Sequence, residues 1–294
     1  MTWWCTGIRW SGGGPAIGWY AQGRGERTSP LAYGRRLAFS ACAERRCQGV
    51  WRAGKRTPCP TSATVPGRTG RAQCPECARL DRSFSVAADT RADDPRTYRV
   101  YLAWFGPGLV KVGITAEERG GVRLLEQGAV AWSWLGRGPL MAARRTEELL
   151  RAALGVPDRI AYARKRAVRT HLPPAAERAG EVAELHARAA GLGGWPESLE
   201  RLGCEVVDHA EVFGLAGLPP AARVITAMVS GAAVDGTLAG AAGPDLHFAD
   251  GLVVDTRLLA GWELAVPAGG TVAAAPSVEI PSGGAPAAEQ DGLF

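Results

Sequence analysis

Residues 52–73, "RAGKRTPCPTSATVPGRTGRAQ", do most to narrow what this chain can become. Proline, glycine, serine and threonine dominate the stretch, so it cannot bury enough apolar surface to offset the entropy of ordering it. A segment of this length inside a folded domain needs something to tie it down. Cysteines can supply the tie: Cys47 in "RRCQGVW", Cys59 in "TPCP", and Cys74 and Cys77 in "AQCPECARL". The C-x-x-C pair can grip one tetrahedral zinc at about 2.3 Å, and two upstream thiolates complete a four-cysteine set. Metal-binding energy then becomes folding energy. With four protein ligands the site is closed and structural, with no position left for a reacting water. Three alternatives stand beside this reading. Cys42 can substitute for Cys47, the C-x-x-C can be a redox pair, or the four cysteines carry no ligand. The redox reading lacks the βαβ context such motifs need. Cys5 and Cys204 read as small buried hydrophobes.

A count of 7 cysteines, odd in number, fits a reducing compartment better than a disulfide framework. No apolar run approaches the roughly 18–20 residues that span a bilayer, and "MTWWCTGIRW" has none of the layout of a signal peptide. The expectation is a cytoplasmic protein with no membrane partner. Its net charge of +5 hides a gradient: residues 44–82 and 137–169 each carry +6, while residues from 171 onward carry −11. Two basic segments fit a polyanionic partner, because neutralised phosphates release counterions and drive binding. The alternative is a solvated arginine-rich surface, since 31 of the 34 basic residues are arginine.

Glycine turns separate short strand-like runs at the start: "CTGIRW", "AIGWYAQ" and "RRLAFSA". "VYLAWF" and "GLVKVGI" are the clearest strands, joined by Gly-Pro-Gly. "GPLMAARRTEELLRAALGV" is the clearest helix, with Met141, Leu149, Leu150, Ala153 and Leu154 as its apolar stripe and Gly155 and Pro157 ending it. A second helix covers "PAAERAGEVAELHARAAGL", with Val182, Leu185 and Ala189 on one face. The runs from "CEVVDHAEVFGL" to "LVVDTRLLAGWEL" predict β-strands in a small antiparallel barrel or sheet. Residues 265–294, rich in alanine, proline and glycine, predict a disordered tail. "ARKRAVRTH" reads as a solvated helix face, and the four histidines share no metal-like spacing.

A hairpin does not need a lysine within "LVKVGIT", which makes Lys111 a candidate for chemistry. Tyr101 begins the preceding strand, Arg119 and Arg123 follow, and Glu147 lies on the clearest helix. Those four residue types suit a phosphodiester: a phenol orients or deprotonates a nucleophile, cations stabilise charge at phosphorus, and a carboxylate holds a divalent metal. Each has a plainer role as well. Tyr101 can pack, Lys111 can extend from an edge strand, and Glu147 can pair with Arg144 or Arg151 on a helix surface.

"VYL", a step of ten residues from Tyr101 to Lys111, "KVGIT", a following arginine and a helical glutamate resemble the GIY-YIG endonuclease superfamily. The likeness is to the branch whose second motif begins with lysine, and it covers about residues 97–155. In its wider layout the chain resembles a bacterial family known only as domain of unknown function 2797. The resemblance implies an α+β fold with a small, mainly antiparallel sheet and flanking helices. The predicted order is a zinc-stapled β segment over 1–96, the GIY-YIG-like core over 97–170, a helix with a β-rich, barrel-like part over 171–264, then the tail.

The resemblance implies roles too: Tyr101 as base or water-orienting residue, Lys111 in place of the second tyrosine, Arg123 as phosphate-stabilising arginine with Arg119 the alternate, and Glu147 as ligand of Mg²⁺ or Mn²⁺ with Glu148 beside it. Gly113 lets the backbone pass close to the site, and Thr115, Arg144 and Arg145 complete the expected nucleic-acid contacts, DNA or RNA. Lysine for tyrosine, an extra Gly-Gly between the arginines, and Leu124, Leu125 and Glu126 where active members often have histidine all set this chain apart. A non-catalytic nucleic-acid-binding module and a protein–protein adaptor are therefore the alternatives to a metal-dependent phosphodiesterase.

Overall fold

Alternation of apolar and polar residues sets in at Trp4. The computed structural model describes residues 2–52, 55–83, 94–267 and 273–280. They divide into two units, one from residues 1–92 and 222–280 and one from Asp93–Ala221. The fold is α+β and mostly sheet. No helix among the described residues is long and apolar enough to cross a membrane.

In the first unit, β1 (Trp4–Ser11) and β2 (Gly14–Ala21) form a hairpin that turns Cys5, Trp10, Ile17 and Ala21 inward. Next come the fully exposed edge strand β3 (Gly25–Pro30) and then β4 (Arg36–Cys42). A separate two-stranded hairpin, β5 (Val50–Arg52) and β6 (Lys55–Thr57), precedes α1 (Pro75–Ser83).

The second unit is built on β7 (Thr97–Gly106), which lies between β8 (Leu109–Ala116) and β9 (Ala131–Pro139), antiparallel to both. Every β7 residue from Val100 to Gly106 is buried, which explains the unbroken apolar run: both faces of the strand are covered. Tyr101, Ala103 and Phe105 face a cluster that includes Leu124, Ala129 and Trp132. Trp104, on the opposite face, donates its indole N–H to Glu181 at 2.7 Å. After β8 the chain makes a 3-10 turn at Glu117–Arg119 and the short α2 (Val122–Gln127), which Gly128 ends in the left-handed conformation at φ 69°. Three longer helices follow, α3 (Leu140–Leu154), α4 (Tyr162–Val168) and α5 (Ala175–Ala190). Two short strands, β10 (Glu200–Arg201) and β11 (Val207–Asp208), then pair with β9.

The chain then returns to the first unit through β12 (Arg223–Ile225), β13 (Ala233–Ala242), β14 (Asp245–Phe248), β15 (Leu252–Asp255), β16 (Glu263–Ala265) and β17 (Ser277–Glu279). Together with the N-terminal strands they form one sheet in the order β17-β12-β15-β14-β13-β4-β16-β1-β2-β3. The barrel expected of the C-terminal strands is thus corrected: they extend an open sheet and do not close on themselves. β4 lies between two late strands, β13 and β16, so the sheet is completed by long-range pairing. Of the tail expected over 265–294, residues 268–272 and 281–294 lie outside the described residues, and β17 pairs with β12.

Several local expectations change as well. On α3 the buried residues are Leu140, Ala142, Ala143, Thr146 and Leu150, while Met141 is exposed; the inward face is rotated from the expected stripe. Small alanines face the sheet because they let the helix approach it. The run "ARKRAVRTH" is not a wholly solvated face, because Lys165 and Arg169 are buried. Cys204 is exposed, unlike Cys5.

Candidate functional site

Cys47, Cys59, Cys74 and Cys77 are all buried, and their sulfurs lie within 4.8 Å of one another. The Cys59–Cys74 sulfur separation is 3.9 Å, and a tetrahedron of thiolates about 2.3 Å from one zinc has edges of roughly 3.8 Å. Backbone N–H groups of Gly49 and Cys74 point at the Cys47 sulfur, at 3.4 and 3.2 Å. Burial acts to raise the Cys59 thiol, but the Thr61 hydroxyl and the amides of Ala63 and Thr61 outweigh it and bring it down to about 6. Two of its neighbours shift the opposite way: burial pushes up Cys47, and burial together with the neighbouring sulfurs pushes up Cys77. Four thiols so crowded cannot all ionise without a cation, and a tetrahedral one such as zinc suits the donors. Cys42 lies in β4, its thiol directed to the Ser40 carbonyl, and is not part of the cluster.

The loop these thiols hold is also fastened by Arg45, which is 1% exposed. Its guanidinium donates to the carbonyls of Pro66, Thr69, Arg257 and Ala260. Burial draws this arginine down to about 10.

In the second unit, strand register gathers the other predicted residues. Tyr101 pairs with Gly113 and Ala103 with Lys111, so Tyr101, Lys111 and Gly113 share one face of the β7–β8 ribbon. The phenol lies across its neighbour strand, and a Cβ on Gly113 would stand 2.4 Å from the Tyr101 hydroxyl oxygen. Only glycine fits there. Thr115, two residues on, is on the same face and buried.

Arg123 and Gln127 sit four residues apart on α2 and therefore point the same way. Gln127 Nε2 donates to the Tyr101 hydroxyl oxygen at 2.6 Å. Lys111 Nζ donates to the Asp158 carbonyl at 3.1 Å and lies 5.6 Å from the Tyr101 ring centre. Burial, then the positive charge of Arg123, draws Lys111 down to about 8, against the pull of Glu147 and Asp158. Burial raises Tyr101 as well, opposed by Arg123 and Gln127. Glu147, half-buried on α3, is raised by burial and then by Asp158, while Lys111 and Arg144 act to lower it. The phenol, the ammonium, the guanidinium and the carboxylate thus come from four elements and act on one another.

Other predicted residues lie elsewhere. Arg119 is exposed and bonded at 2.6 Å to Glu126, the carboxylate that Arg123 also reaches at 3.4 Å, and it is Arg123 whose charge acts on Tyr101 and Lys111. Arg144 is half-buried and acts on Glu147, whereas Arg145 is exposed one residue further round α3. Glu148 turns outward to Arg151 at 2.6 Å.

Sequence reasoning passed over Gln127, Asp158 and Lys165. Gln127 was legible as the residue one helical turn beyond Arg123. Asp158 enters through its backbone carbonyl and its charge, in a loop with no periodic signal. Nearby, His209 is held neutral between the Ala129 carbonyl at 3.0 Å and the Trp132 N–H at 3.1 Å. His186 meets the Trp134 carbonyl at 3.1 Å. Both are packing residues.

A family model described as "Protein of unknown function (DUF2797)" matches residues 34–264. No curated protein and no solved structure matches the chain.

Proposed function

We propose, for a chain that belongs to this family of unknown function, that the second unit acts on nucleic acid as a GIY-YIG-like, metal-dependent phosphodiesterase. One observation carries the reading: Tyr101, Lys111, Arg123 and Glu147 interact beside the β7–β8 ribbon although the first and the last are 46 positions apart. In this reading Tyr101 orients the attacking water through its hydroxyl. Arg123 and Lys111 meet the non-bridging phosphate oxygens, whose charge grows in the transition state. Gly113 keeps the ribbon thin enough for the phenol to cross it.

Glu147 suits a divalent cation, because its carboxyl is raised partly by the charge of Asp158, a repulsion that Mg²⁺ or Mn²⁺ would relieve. Bound there, the cation would neutralise charge on the phosphate. Zinc at the four cysteines is a staple in this reading, without a part in the reaction. None of the seven cysteines is in a disulfide, in keeping with a reducing compartment such as the cytoplasm. The first unit adds support for a polyanionic partner: Trp51, 43% exposed, lies within 5.6 Å of the Arg9 guanidinium and 5.4 Å of that of Arg56.

The test is cleavage of single- and double-stranded DNA and RNA with Mg²⁺ or Mn²⁺, comparing wild type with Glu147→Ala. Metal-dependent cleavage lost in the variant is expected; no cleavage of any substrate by wild type sinks the enzyme reading. A second reading is favoured by one fact: Tyr101 is 1% exposed. A phenol so enclosed suits a module that binds nucleic acid through its cations without cutting it. Binding that weakens steeply with salt, without cleavage, would establish that module. Salt-insensitive or absent binding would leave the protein–protein adaptor.

A further inference from the structure

The chain has three lysines, Lys55, Lys111 and Lys165, against 31 arginines. Arginine is its ordinary surface cation, yet Lys111 and Lys165 are both buried in the second unit, at 9% and 3% exposure. Lys111 belongs to the site already described; Lys165 stands behind it. Its ammonium sits 3.8 Å from the ring centre of Phe105 and 4.5 Å from that of Tyr162, and it donates to the Gln127 carbonyl at 3.1 Å. Such a seat suits a compact ammonium better than a planar guanidinium.

The place of that bond matters. Gln127 is the last residue of α2, where backbone carbonyls lose their helical partners. Lys165 takes up the carbonyl, and the two rings hold Lys165. With its backbone fastened, Gln127 directs Nε2 at the Tyr101 oxygen. An amide nitrogen offers no lone pair in return. The Tyr101 oxygen therefore accepts from Gln127, and its own proton points elsewhere.

We propose that Gln127, anchored by Lys165, is a positioning residue that sets which way the Tyr101 hydroxyl presents its proton; this rests on the phosphodiesterase reading of the site. A hydroxyl free to donate to Gln127 would turn its proton away from a bound phosphate or water, and an amide donor prevents that. Any negative charge that gathers on the phenol oxygen during proton transfer meets the same N–H, a bond that strengthens as the charge grows.

The experiment follows the ring carbon that bears the Tyr101 hydroxyl by NMR, in full-length protein labelled at its 5 tyrosines. Tyr101→Phe assigns the signal. In Gln127→Leu that signal alone should shift at neutral pH. The saturating cleavage rate should fall about tenfold while KM stays within about threefold, and the pH profile should move. Gln127→His, which keeps a ring N–H donor, should recover part of the rate and the shift. Lys165→Met should move both in the same direction by less.

An unmoved Tyr101 signal in Gln127→Leu overturns the proposal, and so does a loss confined to KM. If Gln127→Leu fails to fold, the same two readouts in Gln127→His and Lys165→Met decide. Should wild type cleave nothing, the phosphodiesterase reading falls, while the Tyr101 signal still upholds or overturns the Gln127 coupling.

Discussion

The cysteine segment of the first unit and the β7–β8 ribbon of the second hold polar groups in place by opposite means. Between Arg45 and Arg82 few side chains are apolar, and the described part is fixed by four thiols and one buried guanidinium. Around β7 a fully covered strand supplies the rigidity, and the ionisable groups sit on it. A segment short of hydrophobic area needs a point fastener, and a metal is the strongest available. A covered sheet needs none, and can carry an ammonium and a carboxylate whose protonation it perturbs. The first arrangement is an anchor and the second suits chemistry.

Removing metal should separate the two most sharply. A strong chelator, or Cys74→Ser, should cost the first unit on the order of 10 kcal/mol and free the amides of residues 45–82 to exchange. The amides of β7 and β8 should keep their protection. Equal deprotection of both regions, or metal content well below one per chain, would break the comparison.

Gly113→Ala strikes the other side. A methyl group that close to a phenol, on paired strands, should cost about 3 kcal/mol and misplace the Tyr101 hydroxyl. Denaturant midpoints and the Tyr101 NMR signal check it; an unchanged midpoint would show the ribbon more yielding than its packing implies.

Lys111 sharpens the comparison through pH. Its ammonium is easier to deprotonate folded than unfolded, so between about pH 8 and 10.5 the unfolded chain binds the extra proton. Stability from this group is therefore lowest below pH 8 and is gained as pH rises through that window. The gain is roughly 2 kcal/mol once residual solvent contact is discounted. Lys111→Met should flatten the rise and be the more stable protein at pH 7; identical slopes in the two proteins would contradict the buried ammonium.

Arg119→Ala should do least. Its exposed pair with Glu126 is worth under about 0.5 kcal/mol, and cleavage should stay within about twofold. A loss matching that of Arg123→Ala would move the phosphate contact to Arg119.

Local pattern made the ribbon legible. "VYLAWF" lies within β7 and all of "GLVKVGI" but its turn residue Gly108 lies within β8, and Tyr101, Lys111 and Gly113 fall on one side because strand side chains alternate. The cysteine set was legible because a loop with so few apolar residues must be tied. The inward face of α3 was not, since Ala142, Ala143 and Thr146 carry little hydrophobic signal yet allow close approach to the sheet. Lys165 was hidden in a run of charge that periodicity assigns to solvent; Tyr162 one turn before it, and Phe105 and the helix-end carbonyl of Gln127 far off in sequence, bury it. Least legible was the pairing of β4 with β13 and β16, which lie about two hundred residues further along.

That pairing has a consequence for synthesis. When β4 leaves the ribosome, neither of its neighbours in the sheet has been made. At roughly 5–20 residues per second, its edges wait on the order of ten to forty seconds for β13 and longer for β16. The residues between include Asp93–Ala221 of the second unit, which can fold during the delay. Until then β4, and the edge of β1 that later meets β16, present unpaired hydrogen-bonding groups.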